Sequence, residues 1–324
     1  MDSNEIMEFI VSLNENYLLP AGVLLTSLFE NNKGEEVRVH LFLGGGRKEF
    51  WKPLCDIGEK YHQHICLYNL REEIIPDTID GIDTHRYPIE AYNRLFMSTI
   101  LPKDIHKVIY LDCDMVVNDN LHQLWEENID NYAVGVVTDY QNNNMKVYKR
   151  LGYDAKYGYF NSGMLLVNLD YWRDNNVIPM FLEYIKNHSD KLYFADQDVL
   201  NPLFYNKKKI LPIRYNLNTA LLFKKGYLLI SSDYYQEIEE AFRKPAIIHY
   251  TTDRPWFKGS PNPMLHYWEE YRDMTIWKGQ TIERKKLNLQ GYIMHILSYI
   301  KRIIKLRSLS LYDRKYINDI NKNK

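Results

Sequence analysis

The sequence has few cysteines, few glycines and prolines, and no long apolar run. Its 324 residues include three cysteines, Cys55, Cys66 and Cys113, whose spacing matches neither a zinc knuckle nor a paired redox motif. We therefore expect a reducing, cytoplasmic compartment. The 15 glycines and 12 prolines are too few for a disordered or collagen-like chain. The sequence also lacks 18 consecutive apolar residues, which argues against a membrane-spanning helix.

An excess of charge of one sign is missing as well. The 41 Lys and Arg residues nearly balance the 42 Asp and Glu residues, so we do not expect a nucleic acid as the main partner. Asp2, Glu5 and Glu8 stand where a secretory signal would carry positive charge, and we expect no export signal. A composition of 45% apolar and 26% charged residues is typical of a folded globular chain.

Short apolar runs alternate with segments of helical spacing in the first half of the chain. The runs predict strands at 8–14, 37–45, 65–70 and 107–114, and helices lie between them. This alternation predicts an α/β fold with a doubly wound, mainly parallel sheet, in which ligands bind outside the carboxyl ends of strands. Less regular apolar runs follow at 133–139, 160–170, 209–216 and 246–252. Because no repeat or linker precedes residue 280, we expect one catalytic domain over residues 1–279.

Residues 280–324 form a separate C-terminal extension in this prediction. Apolar residues recur there at steps of three and four from Leu289 to Ile304, which predicts an amphipathic helix. Residues 283–324 contain 11 Lys and Arg against three Asp and Glu, so their net charge is +8 and the remainder of the chain carries −9. Such a basic helix predicts peripheral binding to the anionic inner face of a cell membrane. Docking of the helix on its own domain is the alternative.

The run KVIYLDCDMVV places Asp112 and Asp114 at the end of an apolar strand. Alternation directs both carboxylates to one side if the strand remains extended, whereas Cys113 points into the core. Two carboxylates at this spacing suit Mg²⁺ or Mn²⁺, whose coordination is commonly completed by water and substrate phosphate oxygens. Taken alone, the Asp-x-Asp sequence fits a solvated strand end equally well.

The run AIIHYTTDRPW carries His249 and, shortly after it, Arg254 and Trp256. An imidazole can ligate a divalent ion, and a guanidinium can bind a phosphate through two parallel hydrogen bonds. His249 alone fits a structural histidine better than a ligand. Its combination with the acidic pair predicts a metal site that faces a phosphorylated ligand.

Several motifs occur in a consistent order between Phe9 and Trp256: SLNENY, AYNRL, VIYLDCDMVV, YFNSGMLLVNL, FADQDVLN and HYTTDRPW. In these motifs the sequence resembles glycosyltransferase family 8, which contains bacterial lipopolysaccharide α-galactosyl- and α-glucosyltransferases and the glycogenins. The resemblance implies one domain of the glycosyltransferase A type and a nucleotide-diphosphate sugar donor, usually UDP-linked. It also implies Mn²⁺, with Mg²⁺ as the alternative ion, and transfer with retention at the anomeric carbon.

The resemblance assigns the metal ligands to Asp112, Asp114 and His249. It also implies a set of donor-binding residues: Ser12, Asn14, Tyr17, Arg94, Asp112, Asp139, Asn161 and Arg254. The first three fall where family members hold uracil and ribose, Arg94 matches a basic donor contact, and Asp139 and Asn161 lie around the donor sugar and the acceptor.

The catalytic residues implied by the resemblance are Asp196 and Gln197, which match the acid and amide beneath the transferred sugar. Asp196 would hold sugar hydroxyls, and Gln197 would face the reacting carbon. Retention normally uses a carboxylate nucleophile on the opposite face of the sugar, and an amide is a poor nucleophile. We therefore predict attack on the same face, with the departing phosphate oxygen accepting the acceptor's proton.

The sequence departs from the family pattern at three positions. Asn14 stands where the family usually has an aspartate, and an amide can both donate to and accept from a base. Thr252 replaces a glycine, which restricts the approach of the backbone to the diphosphate, and Arg254 replaces a lysine. The segment is also one residue shorter than usual.

The sequence thus predicts a hexosyltransferase that moves galactose or glucose from a UDP-sugar to a lipopolysaccharide-like or other surface-glycan acceptor. One alternative is a phosphohydrolase in which Asp112 forms an aspartyl-phosphate. Another is a non-catalytic protein that binds a sugar nucleotide, in which the altered segment around Thr252 has ended turnover.

Overall fold

A seven-stranded, mainly parallel sheet forms the centre of the molecule in the computed structural model, which describes residues 6–70, 89–223, 226 and 229–283. The strands in this part of the chain are β1 Met7–Leu13, β2 Val37–Leu43, β3 His64–Asn69, β4 Lys107–Leu111, β5 Met115–Val117, β6 Val134–Thr138, β7 Phe160–Asn168, β8 Lys208–Ile210, β9 Leu217–Asn218 and β10 Ile247–His249. The order in the large sheet is β3-β2-β1-β4-β7-β6-β8, and β7 runs antiparallel to both neighbours. The predicted fold class is confirmed.

Helices cover both faces of this sheet. The α-helices within the described ranges are α1 Leu18–Asn31, α2 Lys52–Tyr61, α3 Met97–Ile100, α4 His122–Trp125, α5 Met145–Leu151, α6 Leu169–Asp174, α7 Val177–His188, α8 Gln197–Phe204, α9 Tyr235–Arg243 and α10 Leu265–Arg272. Short 3₁₀ helices are Glu15–Tyr17, Lys48–Trp51, Ile89–Phe96, Ala155–Tyr157, Ser189–Lys191, Ile213–Asn216, Thr219–Leu222 and Ser232–Tyr234. In α1, Pro20 lies in the first turn, where its missing N–H is not needed.

Each face of the large sheet is buried in its own hydrophobic core. Phe9 and Val11 of β1 pack into the core that contains α1, α2 and α10. Ile10, between them, belongs to the core on the opposite face with α3 and α7. Burial on both faces explains why the central strands are continuous apolar runs without polar alternation.

The predicted strand over 107–114 is wrong in its second half. β4 ends at Leu111, the chain turns at Cys113 and Asp114, and it resumes as β5. β5 leaves the large sheet because it pairs with β10, and β10 pairs in turn with β9 in a second sheet of three strands. The change of sheet places a turn directly after β4.

The chain contacts the rest of the domain on both sides of residue 279. Trp277 packs on Gly22 of α1, and the Ile282 amide donates to the Trp256 carbonyl at 2.7 Å. The domain boundary at Gly279 stays a prediction, and the amphipathic helix predicted from Leu289 onward lies outside the described residues. Among the helices of the described ranges, none has the length and apolar character required to cross a membrane.

Candidate active site

Three predicted metal ligands lie together at the carboxyl end of β4. Asp112, Asp114 and His249 each offer a ligand atom, and these atoms all lie within 4.8 Å of one another. His249 Nε2 is 3.1 Å from Asp114 Oδ1 and 3.8 Å from Asp112 Oδ2. The antiparallel pairing of β10 with β5 sets His249 opposite Met115, next to the turn that carries both carboxylates. The turn, not an extended strand as predicted, therefore brings the acidic pair to the histidine.

The electrostatics of this cluster favour a charged state. Burial opposes the charge on His249, but Asp114 and then Asp112 outweigh it and raise the pKa of the imidazole. Burial likewise opposes ionisation of Asp114, yet the charge and hydrogen bond of His249 hold the pKa of Asp114 below its usual value. Two carboxylates and one imidazole form a donor set suited to a divalent ion such as Mn²⁺ or Mg²⁺.

Gly163 of β7 leaves the space that the side chains of the metal cluster occupy. A Cβ on this residue would lie 2.3 Å from His249 Cε1 and 2.9 Å from Asp112 Oδ2. Because real Cβ atoms are not found at such distances, a larger residue would push the imidazole or the carboxylate away. The backbone of Gly163 also holds the turn in place, since its carbonyl accepts the Asp112 amide at 2.8 Å.

Arg94 links the metal cluster to Asp196. This buried arginine donates to Asp112 Oδ1 at 2.7 Å and to the Ser162 carbonyl at 2.7 Å, and its guanidinium stacks 4.2 Å from the centre of the Tyr110 ring. Its Nε lies 3.3 Å from Asp196 Oδ2. Burial raises the pKa of Asp196 to about 7, against the opposing effect of Arg94. Within the described residues, Asp196 Oδ2 accepts no hydrogen bond.

A chain of buried amides continues from this point. Asn161 Nδ2 donates to Asp139 Oδ2 at 3.0 Å and to Gln197 Oε1 at 3.1 Å, and the Ser162 amide donates to the same Gln197 oxygen at 3.1 Å. Burial raises the pKa of Asp139 to about 6, although hydrogen bonds from Gln141, Asn161 and Gln197 oppose the shift. Asp139, Asn161 and Gln197 therefore form one connected polar group.

The predicted nucleotide-binding residues lie at the end of β1. Arg254 lies 5.8 Å from the centre of the Tyr17 ring and 5.5 Å from that of Trp256, and the two rings meet edge to face. Burial raises the pKa of Tyr17, while Arg254 opposes the shift. Asn14 differs from this group, because its side chain accepts the Asn16 amide at 3.1 Å and caps the 3₁₀ helix.

Ser12 and Cys113 connect the nucleotide-binding end of β1 to the metal cluster. The Cys113 thiol donates to the Ser12 carbonyl at 3.1 Å, and Asn93 Nδ2 donates to Ser12 Oγ at 3.2 Å. Cys113 is buried, as predicted. Burial raises the pKa of its thiol well above the usual value, so this residue is held as a neutral packing group beside the acidic pair.

Thr252 stands where the resemblance implies a glycine. The left-handed backbone conformation falls on the next residue, Asp253, with φ 49°, and not on Thr252. Thr252 Oγ1 lies 3.4 Å from Thr219 Oγ1, and Arg254 is exposed to solvent. The threonine is therefore accommodated without left-handed strain of its own.

Sequence reasoning missed Tyr110, Gly163 and Asn216. The Tyr110 hydroxyl donates to Asp112 Oδ1 at 2.9 Å, and Asn216 Oδ1 lies 3.0 Å from His249 Nδ1. Tyr110 sits inside the strand motif and Gly163 inside YFNSGMLLVNL, so their positions in those motifs were available signals. Asn216 lies outside the quoted motifs, and its sequence context carries no comparable signal.

Comparisons with known proteins match most of the chain to one family. Residues 9–259 match the model of glycosyl transferase family 8. General stress protein A of Bacillus subtilis is 26% identical over 283 residues, which cover 86% of this chain and 96% of that protein. A lipopolysaccharide 1,2-glucosyltransferase of Escherichia coli is 27% identical over 282 residues, which cover 86% of this chain and 81% of the relative.

Solved structures with the same fold include two sugar transferases. The galactosyltransferase LgtC, in complex with donor and acceptor sugar analogues, aligns with a TM-score of 0.73 at 22% identity over 83% of this chain and 96% of its own. The bifunctional glycosyltransferase WbbM aligns with a TM-score of 0.72 at 20% identity over 86% of this chain and 51% of its own. At these identities the alignments establish the fold alone.

Proposed function

The chain belongs to glycosyl transferase family 8, and from this premise we propose that it is a metal-dependent, retaining hexosyltransferase. It would move galactose or glucose from a UDP-sugar to a glycan acceptor. The observation that carries the proposal is the cluster of Asp112, Asp114 and His249 within 4.8 Å, joined through Arg94 to Asp196. A phosphohydrolase is disfavoured because residues 9–259 match glycosyl transferase family 8.

The residues of the cluster fit a divalent ion. Asp112, Asp114 and His249 would hold it, and Gly163 leaves the space in which their three side chains meet. When bound there, Mn²⁺ or Mg²⁺ would act as a Lewis acid that neutralises charge on the diphosphate leaving group. Arg254, an exposed cation near Tyr17, would bind the same diphosphate from the nucleotide side.

The polar group beyond Arg94 would bind the hexose. Asp196 Oδ2 is buried and accepts no hydrogen bond within the described residues, so it can accept one from a sugar hydroxyl. Asp139 and Asn161 would contact other sugar positions. Gln197 would lie under the anomeric carbon, where its amide supports developing positive charge but makes a poor covalent nucleophile. The acceptor would therefore attack from the leaving-group side and pass its proton to the departing phosphate oxygen.

The acceptor class follows from the relatives and from the C-terminal sequence. The name of the Escherichia coli relative supports a lipopolysaccharide or another surface glycan as the acceptor. The basic sequence after residue 283 supports a peripheral position on an anionic membrane. Co-sedimentation with anionic and neutral liposomes tests this: replacing Lys301, Arg302 and Lys305 with glutamate in the full chain should weaken binding to anionic vesicles alone. Equal binding of both proteins would contradict membrane attachment through this segment.

The activity is tested by incubating the protein with UDP-glucose, UDP-galactose and GDP-sugars in the presence of Mn²⁺. NMR should show slow release of the hexose from one UDP-sugar with retained anomeric configuration, which stops with chelator and returns with added Mn²⁺. Asp114→Asn should abolish release, whereas Asp154→Asn on the exposed surface should not. Turnover of a phosphomonoester without sugar release would favour the phosphohydrolase. Donor binding by calorimetry without turnover would favour a non-catalytic protein.

A further inference from the structure

We propose that Asn216 is a positioning residue that holds the His249 ring with Nε2 free to ligate the metal. The proposal rests on the proposed metal-dependent function. Asn216 is 1% exposed and lies between the metal cluster and the sugar-binding amides. Its Oδ1 lies 3.0 Å from His249 Nδ1, and its Nδ2 donates to Asn161 Oδ1 at 2.9 Å.

The backbone amide of Gly163 sets the direction of the hydrogen bonds that run through Asn161 and Asn216 to His249. Gly163 N–H can only donate, so the Asn161 atom that it contacts at 2.9 Å must be the oxygen. The same oxygen accepts from Asn216, so the Asn216 atom that faces it must be the nitrogen. The Asn216 oxygen therefore faces His249 Nδ1, and Nδ1 must carry a proton. A neutral imidazole protonated at Nδ1 has its lone pair on Nε2.

The Nε2 atom faces the place where a metal would bind, and a ring that ligates a metal there keeps its one proton on Nδ1. Nε2 is the His249 atom that faces the carboxylates, 3.1 Å from Asp114 Oδ1. Residues that hold the second nitrogen of a metal-binding histidine typically change metal affinity by about 10–100-fold when they are replaced. The fold supplies the contact, because Asn216 directly precedes β9, and β9 pairs with β10 beside His249.

At its other end, this series of hydrogen-bonded amides reaches Gln197, the residue that we propose lies beneath the sugar. The Ser162 N–H donates to Gln197 Oε1 at 3.1 Å, which identifies that atom as the oxygen by the same reasoning. Asn161 Nδ2 donates to this oxygen too. Two successive backbone amides of β7, those of Ser162 and Gly163, thus orient the amides that connect His249 with Gln197. Within this series, the side chain of Asn216 is the one that contacts the ring nitrogen of His249 in the described structure.

Mn²⁺ binding without any sugar nucleotide tests the proposal. We expect Asn216→Leu, measured by titration with Mn²⁺ and electron paramagnetic resonance, to bind the ion about 10–100-fold more weakly than the wild type. Asn216→Asp loses the donor to Asn161 but keeps an oxygen that accepts from Nδ1, so it should bind Mn²⁺ more tightly than Asn216→Leu. A purely structural role predicts the opposite order, because the aspartate buries a new charge whereas leucine is neutral. The matched control is Asn32→Leu, which removes an equally buried asparagine whose side chain, in the described structure, bonds to two backbone groups, the Leu28 carbonyl and the Leu121 amide.

Wild-type affinity in Asn216→Leu would overturn the proposal, as would equal losses in the leucine and aspartate variants. Circular dichroism establishes whether each variant folds. If the leucine variant does not, ¹H–¹⁵N spectra of the metal-free wild-type protein decide at a pH where the ring is neutral. The proton of His249 is expected on Nδ1, and a proton on Nε2 would overturn the proposal. If the wild-type protein takes up no Mn²⁺, the metal-dependent function fails, whereas the tautomer spectrum still decides the role of Asn216.

Discussion

Arg94 donates to Asp112 Oδ1, whereas the other oxygen of the same carboxylate, Oδ2, is the one that approaches His249. The two carboxylate oxygens of Asp112 therefore have different partners. Tyr110 also donates to Oδ1, so this oxygen is held by two donors and fixes the direction of the carboxylate. Oxygen Oδ2 remains directed into the metal cluster. The orientation of this carboxylate therefore depends on Arg94, which the resemblance identified only as a residue that contacts the sugar nucleotide.

Arg94→Met should reduce the free energy of unfolding by about 3–5 kcal/mol, because it leaves the buried carboxylate of Asp196 and the partly buried one of Asp112 without their cation. Arg94→Lys keeps a charge but cannot donate to Asp112 and the Ser162 carbonyl while it also pairs with Asp196. It should recover part of the stability and still lower donor turnover by about 100-fold. Urea denaturation and NMR of sugar release measure the two effects.

The control for this prediction is Arg243→Met, which removes an arginine from an exposed ion pair with Glu239. Its effect on stability should be below about 1 kcal/mol, as is usual for surface pairs. Wild-type stability in Arg94→Met would contradict the view that the guanidinium neutralises both carboxylates.

Gly163→Ala should weaken metal binding because its Cβ would overlap the His249 ring and crowd Asp112 Oδ2. One of the two ligands must move, so we expect a loss of Mn²⁺ affinity in a titration followed by electron paramagnetic resonance, together with a loss of turnover. Gly34→Ala is the matched control, since a Cβ at Gly34 has no atom within 4 Å in the described structure. Unchanged Mn²⁺ binding in Gly163→Ala would show that the cluster does not need the space left by this glycine.

The sequence predicts those parts of the fold that depend on local pattern. Alternating strands and helices are enough to identify a mainly parallel sheet. The antiparallel direction of β7 could not be predicted, because a strand buried on both faces has the same apolar pattern in either direction. The end of β4 was misplaced for a related reason: β5 is as apolar as β4 and differs only in its partner, β10, which lies far along the chain.

The candidate site likewise contains residues that the sequence predicted and others that it did not. Asp112, Asp114 and His249 stand at the ends of apolar runs, where acidic residues and histidine are conspicuous. Asn216 is not conspicuous, because asparagine is common in turns and its contacts depend on long-range pairing. It meets His249 across 33 residues and Asn161 across 55 residues of chain. Such a contact follows from the pairing of β9 with β10 and from the path of β7, which no local pattern specifies.

Gly22→Ala should destabilise the domain through Trp277. A Cβ at Gly22 would lie 2.1 Å from Trp277 Cζ3, so the indole must leave its place on α1. Overpacking of this kind typically costs about 1–3 kcal/mol. If Trp277 is first replaced by leucine, the further change Gly22→Ala should cost less stability than it does in the wild type, as measured by urea denaturation. Equal effects of Gly22→Ala with and without Trp277 would contradict a direct clash.

His40 should make the stability of the protein depend on pH, independently of the metal cluster. The ring is buried, its Nε2 lies 2.8 Å from Glu8 Oε2, and its Nδ1 lies 3.0 Å from the Tyr68 hydroxyl. Arg38 pairs with the other Glu8 oxygen at 3.2 Å. Burial opposes the charge on His40, but Cys66 and Glu8 outweigh it and raise the pKa of the imidazole.

A histidine whose pKa is higher in the folded state binds its proton more tightly when the protein is folded. Its stabilising effect is therefore complete below the unfolded-state pKa of about 6.5 and is lost as the pH rises through the folded-state pKa. The free energy of unfolding should fall with rising pH in this range, and the fall should be smaller in His40→Gln. Asp196 and Asp139, with pKa values raised to about 7 and about 6, add to the fall in both proteins, so the difference between the two curves isolates His40. Glu8→Gln should reduce the slope in the same way because it removes the carboxylate that holds the proton, whereas parallel curves for all three proteins would show that this pair is not a source of the pH dependence.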